Sequence, residues 1–151
     1  MKWKTSIILL LSILFLIGCS EKTYEPKAIN GETDICKVCN MSIAHEDYAA
    51  QLIFTNGDYE VFDDLGCLME FMMETEESEI GAAFIKDAEE DQWLHVKNAT
   101  YIYSKDYWTP MNYGVLAFSS KEAAEQYMKE HGEGELLSYD QLFDFNWGIH
   151  H

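Results

Sequence analysis

Residues 48–55, Tyr-Ala-Ala-Gln-Leu-Ile-Phe-Thr, form a strand-like run that ends at Asn56-Gly57, and Tyr59 to Phe62 supply a second one. Asn-Gly between two such runs is a strong hairpin signal, because both residues tolerate the positive φ angles of a tight turn. The period then changes. Leu65, Leu68, Met69, Met72 and Met73 recur at helical spacing over residues 65–76, behind Asp63 or Asp64 as the cap. The acidic run Glu74 to Glu79 reads as the solvated end of that helix and a loop. Residues 82–86, 93–96, 100–103 and 114–118 are further strand candidates. Ser119 with Glu122 makes a capping box for a second amphipathic helix, Lys121 to Glu130, closed by Gly132, and residues 135–139 form a last extended segment. Strands followed by a helix occur twice, which predicts an α+β fold of two small β-β-α-type halves with mainly antiparallel sheet.

The N-terminus departs from this pattern. Lys2 and Lys4 precede an apolar stretch from Ile7 to Ile17 that only Ser12 interrupts, ending in Leu16-Ile17-Gly18-Cys19. The stretch is short of the roughly 20 residues that a membrane span needs and fits the apolar region of a signal peptide. Its end resembles a bacterial lipobox, in which the cysteine becomes the lipidated first residue of the mature chain; an ordinary signal peptide or an uncleaved anchor is the alternative. The expected organisation is a lipoprotein signal peptide over residues 1–18, a flexible tether from Cys19 over 19–34, a domain over 35–145 and a frayed tail over 146–151. The protein is then expected on the extracytoplasmic face of a membrane, periplasmic or outer, held by lipid on Cys19.

Composition narrows the function. The 151 residues suffice for one domain, and 48% hydrophobic residues can build its core. Ten Lys and Arg against 27 Asp and Glu give a formal charge of −17, and loss of Lys2 and Lys4 with the signal peptide makes it −19. Such a surface repels phosphate backbones and anionic lipid headgroups, which argues against nucleic-acid binding and a polybasic membrane grip.

With Cys19 assigned to lipid, the chemistry falls to Cys36, Cys39 and Cys67. Cys36-Lys37-Val38-Cys39-Asn40-Met41 is the densest cluster. A tight turn brings thiolates three positions apart within reach of one ion, and Met41 adds a thioether, a combination that favours Cu(I) over harder ions. Other chemistries fit the same residues. They are a zinc site built from Cys36, Cys39, Cys67 and His45, a redox pair, or a Cys36–Cys39 disulfide. Met111 follows Thr109-Pro110 in a loop and lacks the usual packing role, whereas Met69, Met72, Met73 and Met128 read as core. Cys67 lies one turn into the first helix and either faces the cysteine turn or is an inert thiol. Asp63 and Asp64 read as helix caps and not as metal ligands; His45 and His95 read as satisfied polar residues. No phosphate loop, serine triad or zinc-protease motif occurs.

Together Cys36-Lys37-Val38-Cys39-Asn40-Met41-Ser42-Ile43, Phe62-Asp63-Asp64-Leu65-Gly66-Cys67-Leu68, Thr109-Pro110-Met111 and Ala117-Phe118 before an Ala-rich helix resemble the NosL family, lipoproteins of nitrous oxide reductase gene clusters. The resemblance spans Cys36 to Phe143. It implies a fold similar to part of organomercurial lyase and a non-enzymatic Cu(I) chaperone. Such a chaperone would take copper from a donor for assembly of nitrous oxide reductase. The ligands the resemblance implies are Cys36, Cys39, Met41 and Met111; the residues themselves leave Cys67 and His45 as weaker candidates and Zn(II) as a second or alternative ion. Some relatives place a histidine two residues after the loop methionine; here Tyr113 stands there, which implies a Cys/Met site. The competing expectations are a tethered thiol–disulfide oxidoreductase using Cys36 and Cys39, whose Thr109-Pro110 resembles a thioredoxin-type loop, and a zinc-stapled interaction domain.

Overall fold

The computed structural model describes residues 22–148, which carry two antiparallel sheets and three helices. The first sheet holds β1 (Ala50–Phe54), β2 (Tyr59–Phe62), β3 (Ile80–Lys86) and β4 (Trp93–His95) in the order β2-β1-β3-β4. The second holds β5 (Thr100–Tyr103), β6 (Val115–Phe118) and β7 (Glu135–Leu137) in the order β6-β5-β7. Helix α1 (Leu65–Glu74) follows β2, α2 (Lys121–His131) follows β6, and a short α3 (Gln141–Asp144) follows β7. The expected α+β class with two strand-strand-helix halves is what the chain adopts. The hairpin turns at Asn56-Gly57, where Gly57 has φ 96° and the pairing Ile53 to Tyr59 begins.

Period-two alternation sorts the side chains between layers. In β5 and β6, Tyr101, Val115 and Ala117 face a core shared with α1 and the first sheet, while Ile102, Leu116 and Phe118 face Ala124 of α2. In the first sheet Ala50, Leu52, Ala83 and Ile85 join that shared core, and Ile53, Ala82 and Phe84 occupy the opposite face. Helix α1 packs on β1 and β2 and also touches β6 and α3, so it is the element through which the halves meet.

Several expectations need correction. The segment expected as a free tether is held against the first sheet from Tyr24 onward. Tyr24 covers Ile53, Ala82 and Phe84, and Gln51, fully buried in β1, exchanges two hydrogen bonds with the Lys27 backbone. A buried amide needs both partners, and the chain supplies them by crossing the sheet face. The tail is likewise docked as far as Trp147, which is buried and whose indole N–H donates to the Leu142 carbonyl. Met73, expected in the core, is exposed, since α1 turns it away from the Met69 and Met72 face. Residues 96–98 form a 3-10 turn and not the end of β4. The signal-peptide and lipobox residues 1–19 and His150 and His151 lie outside the described residues. Among the described residues no helix is long and apolar enough to cross a membrane.

Asp87 locks the two halves. Its Oδ1 accepts the Glu89 and Glu90 N–H groups at 3.0 and 3.2 Å, and its Oδ2 accepts the Ser119 N–H at 2.9 Å and the Gln92 side-chain amide at 3.2 Å. Beside it the Ala88 N–H donates to Ala117 O of β6. Replacing this buried carboxylate with Ala strands four donors, and hydrogen bonds to charged groups are the costly ones to lose. Asp87→Ala is expected to lose about 3 kcal/mol of unfolding free energy in urea titration; a loss indistinguishable from that of a surface substitution would show that the lock contributes little.

Candidate metal centre

The Cys36–Cys39 turn is built by its own backbone. The Cys36 N–H donates to Met41 O at 2.8 Å, the Asn40 N–H donates to Cys36 O at 3.0 Å, and Ile35 and Ser42 bridge the strand ends. Asn40 takes φ 60°, a left-handed angle its short polar side chain accepts better than most. A further bond, Lys37 N–H to Val61 O at 3.0 Å, pins the turn to β2 and so sets it beside the Phe62-Asp63-Asp64 corner.

At that corner α1 begins. Asp64 is its cap, with Oδ1 accepting the Cys67 N–H at 3.2 Å, which places Cys67 in the first turn with its thiol toward the cysteine turn. The other oxygen of Asp64 accepts the Met111 N–H at 3.0 Å. One carboxylate thus holds the third cysteine and the loop methionine from opposite halves of the fold. Burial pushes the Asp64 carboxyl up to about 6, against the pull of these two N–H groups.

The Met111 loop is itself rigid. Thr109 is buried and its hydroxyl accepts the Tyr113 and Gly114 N–H groups. Gly114, at φ +70°, passes so near Ser104 O that a Cβ would lie 2.2 Å from it. Tyr113 lies flat on Gly66 of α1, where a Cβ would meet its ring at 2.1 Å, and edge-on to Trp147. Glycine at position 66 is therefore what lets the loop close on the helix.

Four donors converge. One ligand atom from each of Cys36, Cys39, Asp63 and Cys67 lies within 4.8 Å of the other three. Cys36, Cys67 and Asp63 are buried and Cys39 is half-buried, so the pocket opens at Cys39. Cys36, Cys39 and Cys67 are free thiols in the structure. The Cys39 S–H points to Asp63 Oδ2 at 3.4 Å, while Asp63 Oδ1 is buried with no hydrogen-bond partner.

The expected residues divide accordingly. Cys36, Cys39 and Cys67 are brought together. Met111 is anchored by its backbone to the cap of the Cys67 helix and is half-buried against the shared core. Met41 closes the cysteine turn through its carbonyl and leaves its side chain 46% exposed. His45 is not among the four donors; its ring packs edge-on against Trp108 at 4.9 Å, so the expected zinc set with His45 is corrected. Asp63, taken from the sequence as a cap, is the residue that reading missed. The doublet Asp63-Asp64 held the clue, since one helix start needs one capping side chain and the second acid is left over.

The thiols are electrically unlike one another. A hydrogen bond from the Cys67 thiol lowers Cys36 to about 6, outweighing burial, and the same bond holds Cys67 protonated far above the ordinary thiol range. Burial raises Cys39 to about 12. At neutral pH the cluster therefore holds one ready thiolate. Because the folded value of Cys36 lies below 9.0, this bond stabilises the fold fully above 9.0, and its contribution is lost as pH falls to about 6. In Cys67→Ala the donor is gone, and the thiolate titration followed by ultraviolet absorbance is expected to rise from about 6 toward 9.0; a midpoint that stays near 6 would assign the depression to another group.

No curated protein matches the chain in sequence. Among solved structures, the crystal structure of the copper chaperone NosL from Shewanella denitrificans is similar in fold, with a TM-score of 0.67 at 18% identity over 80% of this chain and 96% of that one. The family model described as NosL matches residues 26–144, from the segment crossing the first sheet through the cysteine turn, the Asp64 cap and the Met111 loop to α3. This chain belongs to the NosL family.

Proposed function

We propose that this protein is a copper-binding chaperone that carries Cu(I) on sulfur and passes it on for assembly of nitrous oxide reductase outside the cytoplasm, without catalysing a reaction itself. The observation that carries the reading is the convergence of Cys36, Cys39 and Cys67 from two separate segments. Three converging thiols suit a soft monovalent ion. Family membership and the likeness to the Shewanella denitrificans copper chaperone support it. In this reading Cys36 and Cys67 form the inner anchor and Cys39 the exchangeable ligand at the mouth. Met41, exposed on the rim, receives or hands over the ion, and Met111, tied to the same helix cap, completes the sulfur set.

The gradient of exposure supplies a transfer route. A recipient's thiolate or thioether reaches the ion at the Cys39 and Met41 side while the buried sulfurs still hold it, so the ion is never bare. The copper donor and nitrous oxide reductase, or its maturation complex, are the partners proposed, and lipid on Cys19 would concentrate the chaperone beside them at the membrane.

The oxidoreductase alternative is disfavoured by accessibility. Thiol exchange needs a reachable thiolate. Here the low sulfur, Cys36, is fully buried, and the more accessible Cys39 is raised to about 12.

Anaerobic titration with Cu(I) against a chelator tests the copper reading. The Cys36→Ala/Met111→Ala double variant is expected to bind roughly 100-fold more weakly or worse, since losing direct ligands costs at least what losing their supports does; equal affinities would end the proposal. For the anchor, Cys19→Ala is expected to move the protein from the membrane fraction to the soluble one, and unchanged fractionation would reject lipidation there.

A further inference from the structure

Asp63 does more than accept the Cys39 S–H. It is buried, its Oδ1 has no hydrogen-bond partner, and it lies with the three thiols inside the same 4.8 Å cluster. An unpaired buried carboxylate oxygen is costly to keep, and the Asp64 cap next to it already serves the helix start. One Asp63 oxygen already meets the Cys39 thiol, the other has no partner, and the carboxylate lies among the three sulfurs where a fourth donor would stand.

We propose that Asp63 is the fourth ligand of a second binding mode, in which Cys36, Cys39, Cys67 and Asp63 enclose a divalent ion of tetrahedral preference, Zn²⁺ being the natural occupant. The inference rests on the thiol cluster being the metal site and departs from the copper reading in its ligand set and charge. Donors bound at about 2.3 Å around a tetrahedral ion stand roughly 3.8 Å apart. The 4.8 Å bound on the cluster lies within about 1 Å of that spacing. Softness separates the two modes: Cu(I) takes the sulfurs and leaves the carboxylate, whereas a borderline divalent ion accepts three thiolates and one oxygen. Charge agrees, because three thiolates and a carboxylate in a buried pocket are better offset by two positive charges than by one. Asp63 would then decide which ion the cluster holds closed and four-coordinate, and which it holds open on sulfur alone.

The test uses the folded chain with metals added singly, anaerobically and with reductant. Wild-type protein titrated with Co²⁺ is expected to give the intense visible bands of one tetrahedral ion with sulfur-to-metal charge transfer. X-ray absorption of the Zn²⁺-loaded wild type is expected to show three sulfurs at about 2.3 Å and one oxygen at about 2.0–2.2 Å. Asp63→Asn, nearly the same shape, is expected to weaken Zn²⁺ by more than the roughly 10–100-fold that losing an outer-shell partner costs. Its Cu(I) affinity should stay within about threefold of wild type. Octahedral Co²⁺, a zinc shell without oxygen, or equal losses for both ions would overturn the assignment, and the wild-type spectra decide it even if Asp63→Asn fails to fold. Cu(I) binding that ignores Cys36→Ala/Met111→Ala while Zn²⁺ still depends on Asp63 would sink the copper reading and leave this one standing. The reverse pattern would do the opposite.

Discussion

The site depends on one buried carboxylate that is not itself one of the four converging donors. Asp64 accepts the Cys67 N–H with one oxygen and the Met111 N–H with the other, and these donors belong to the helix of the first half and the loop of the second. An N-cap is usually a local device that ends the run of unsatisfied N–H groups at a helix start. Here the same group also fixes a tertiary contact between residues 47 positions apart. Its cost is visible in the carboxyl being raised to about 6 by burial: above that value the fold carries a desolvated charge, and the penalty is relieved as pH falls through it. Everything nearby conforms to it: Tyr113 closes on Gly66, Thr109 braces the loop, and Lys37 pins the cysteine turn to β2 from the other side.

The pattern of the chain made the local elements legible. The Asn56-Gly57 hairpin, the helix behind Asp64 and the Ser-capped helix α2 all follow from short-range rules, and each is where spacing puts it, although the α2 cap is Ser120 and not Ser119. The cysteine turn was legible for the same reason. What local pattern does not encode is which surface a segment crosses. Residues 24–27 look like a linker because they are polar and contain Pro26, yet Gln51 in β1 is a buried amide that needs their backbone. The docked tail escaped notice because Trp147 lies in a short, polar, glycine-containing end, and only the covering of Leu142 and Tyr113 gives it a role.

Within the site the same division holds. Cys36 and Cys39 could be paired from their spacing. Cys67 could be placed only by knowing that its helix starts against the cysteine turn. Asp63 was hidden by its neighbour, because two successive acids before a helix satisfy a capping rule twice over and the rule does not say which is spare. His45 illustrates the converse, a residue of the right chemistry near the right cysteine that a 3-10 turn, Glu46–Tyr48, commits to Trp108 and Tyr48.

A carrier faces two opposed demands, and the cluster's asymmetry answers both on the copper reading proposed above. Tight holding asks for a preformed anionic sulfur that loses little on desolvation, and before the ion arrives the Cys67 S–H keeps Cys36 in that form. Release asks for a ligand whose departure is easy. Cys39, half-buried and raised to about 12, regains its proton readily once a competing sulfur has taken the ion. Loading then releases the protons of Cys67 and Cys39 as their sulfurs bind, whereas Cys36 is already an anion, and unloading returns the Cys39 proton first, at the mouth. A site of three equal thiolates would bind more tightly and release more slowly; in the metal-free cluster the hydrogen bond from Cys67 sets Cys36 apart, and burial sets Cys39 apart.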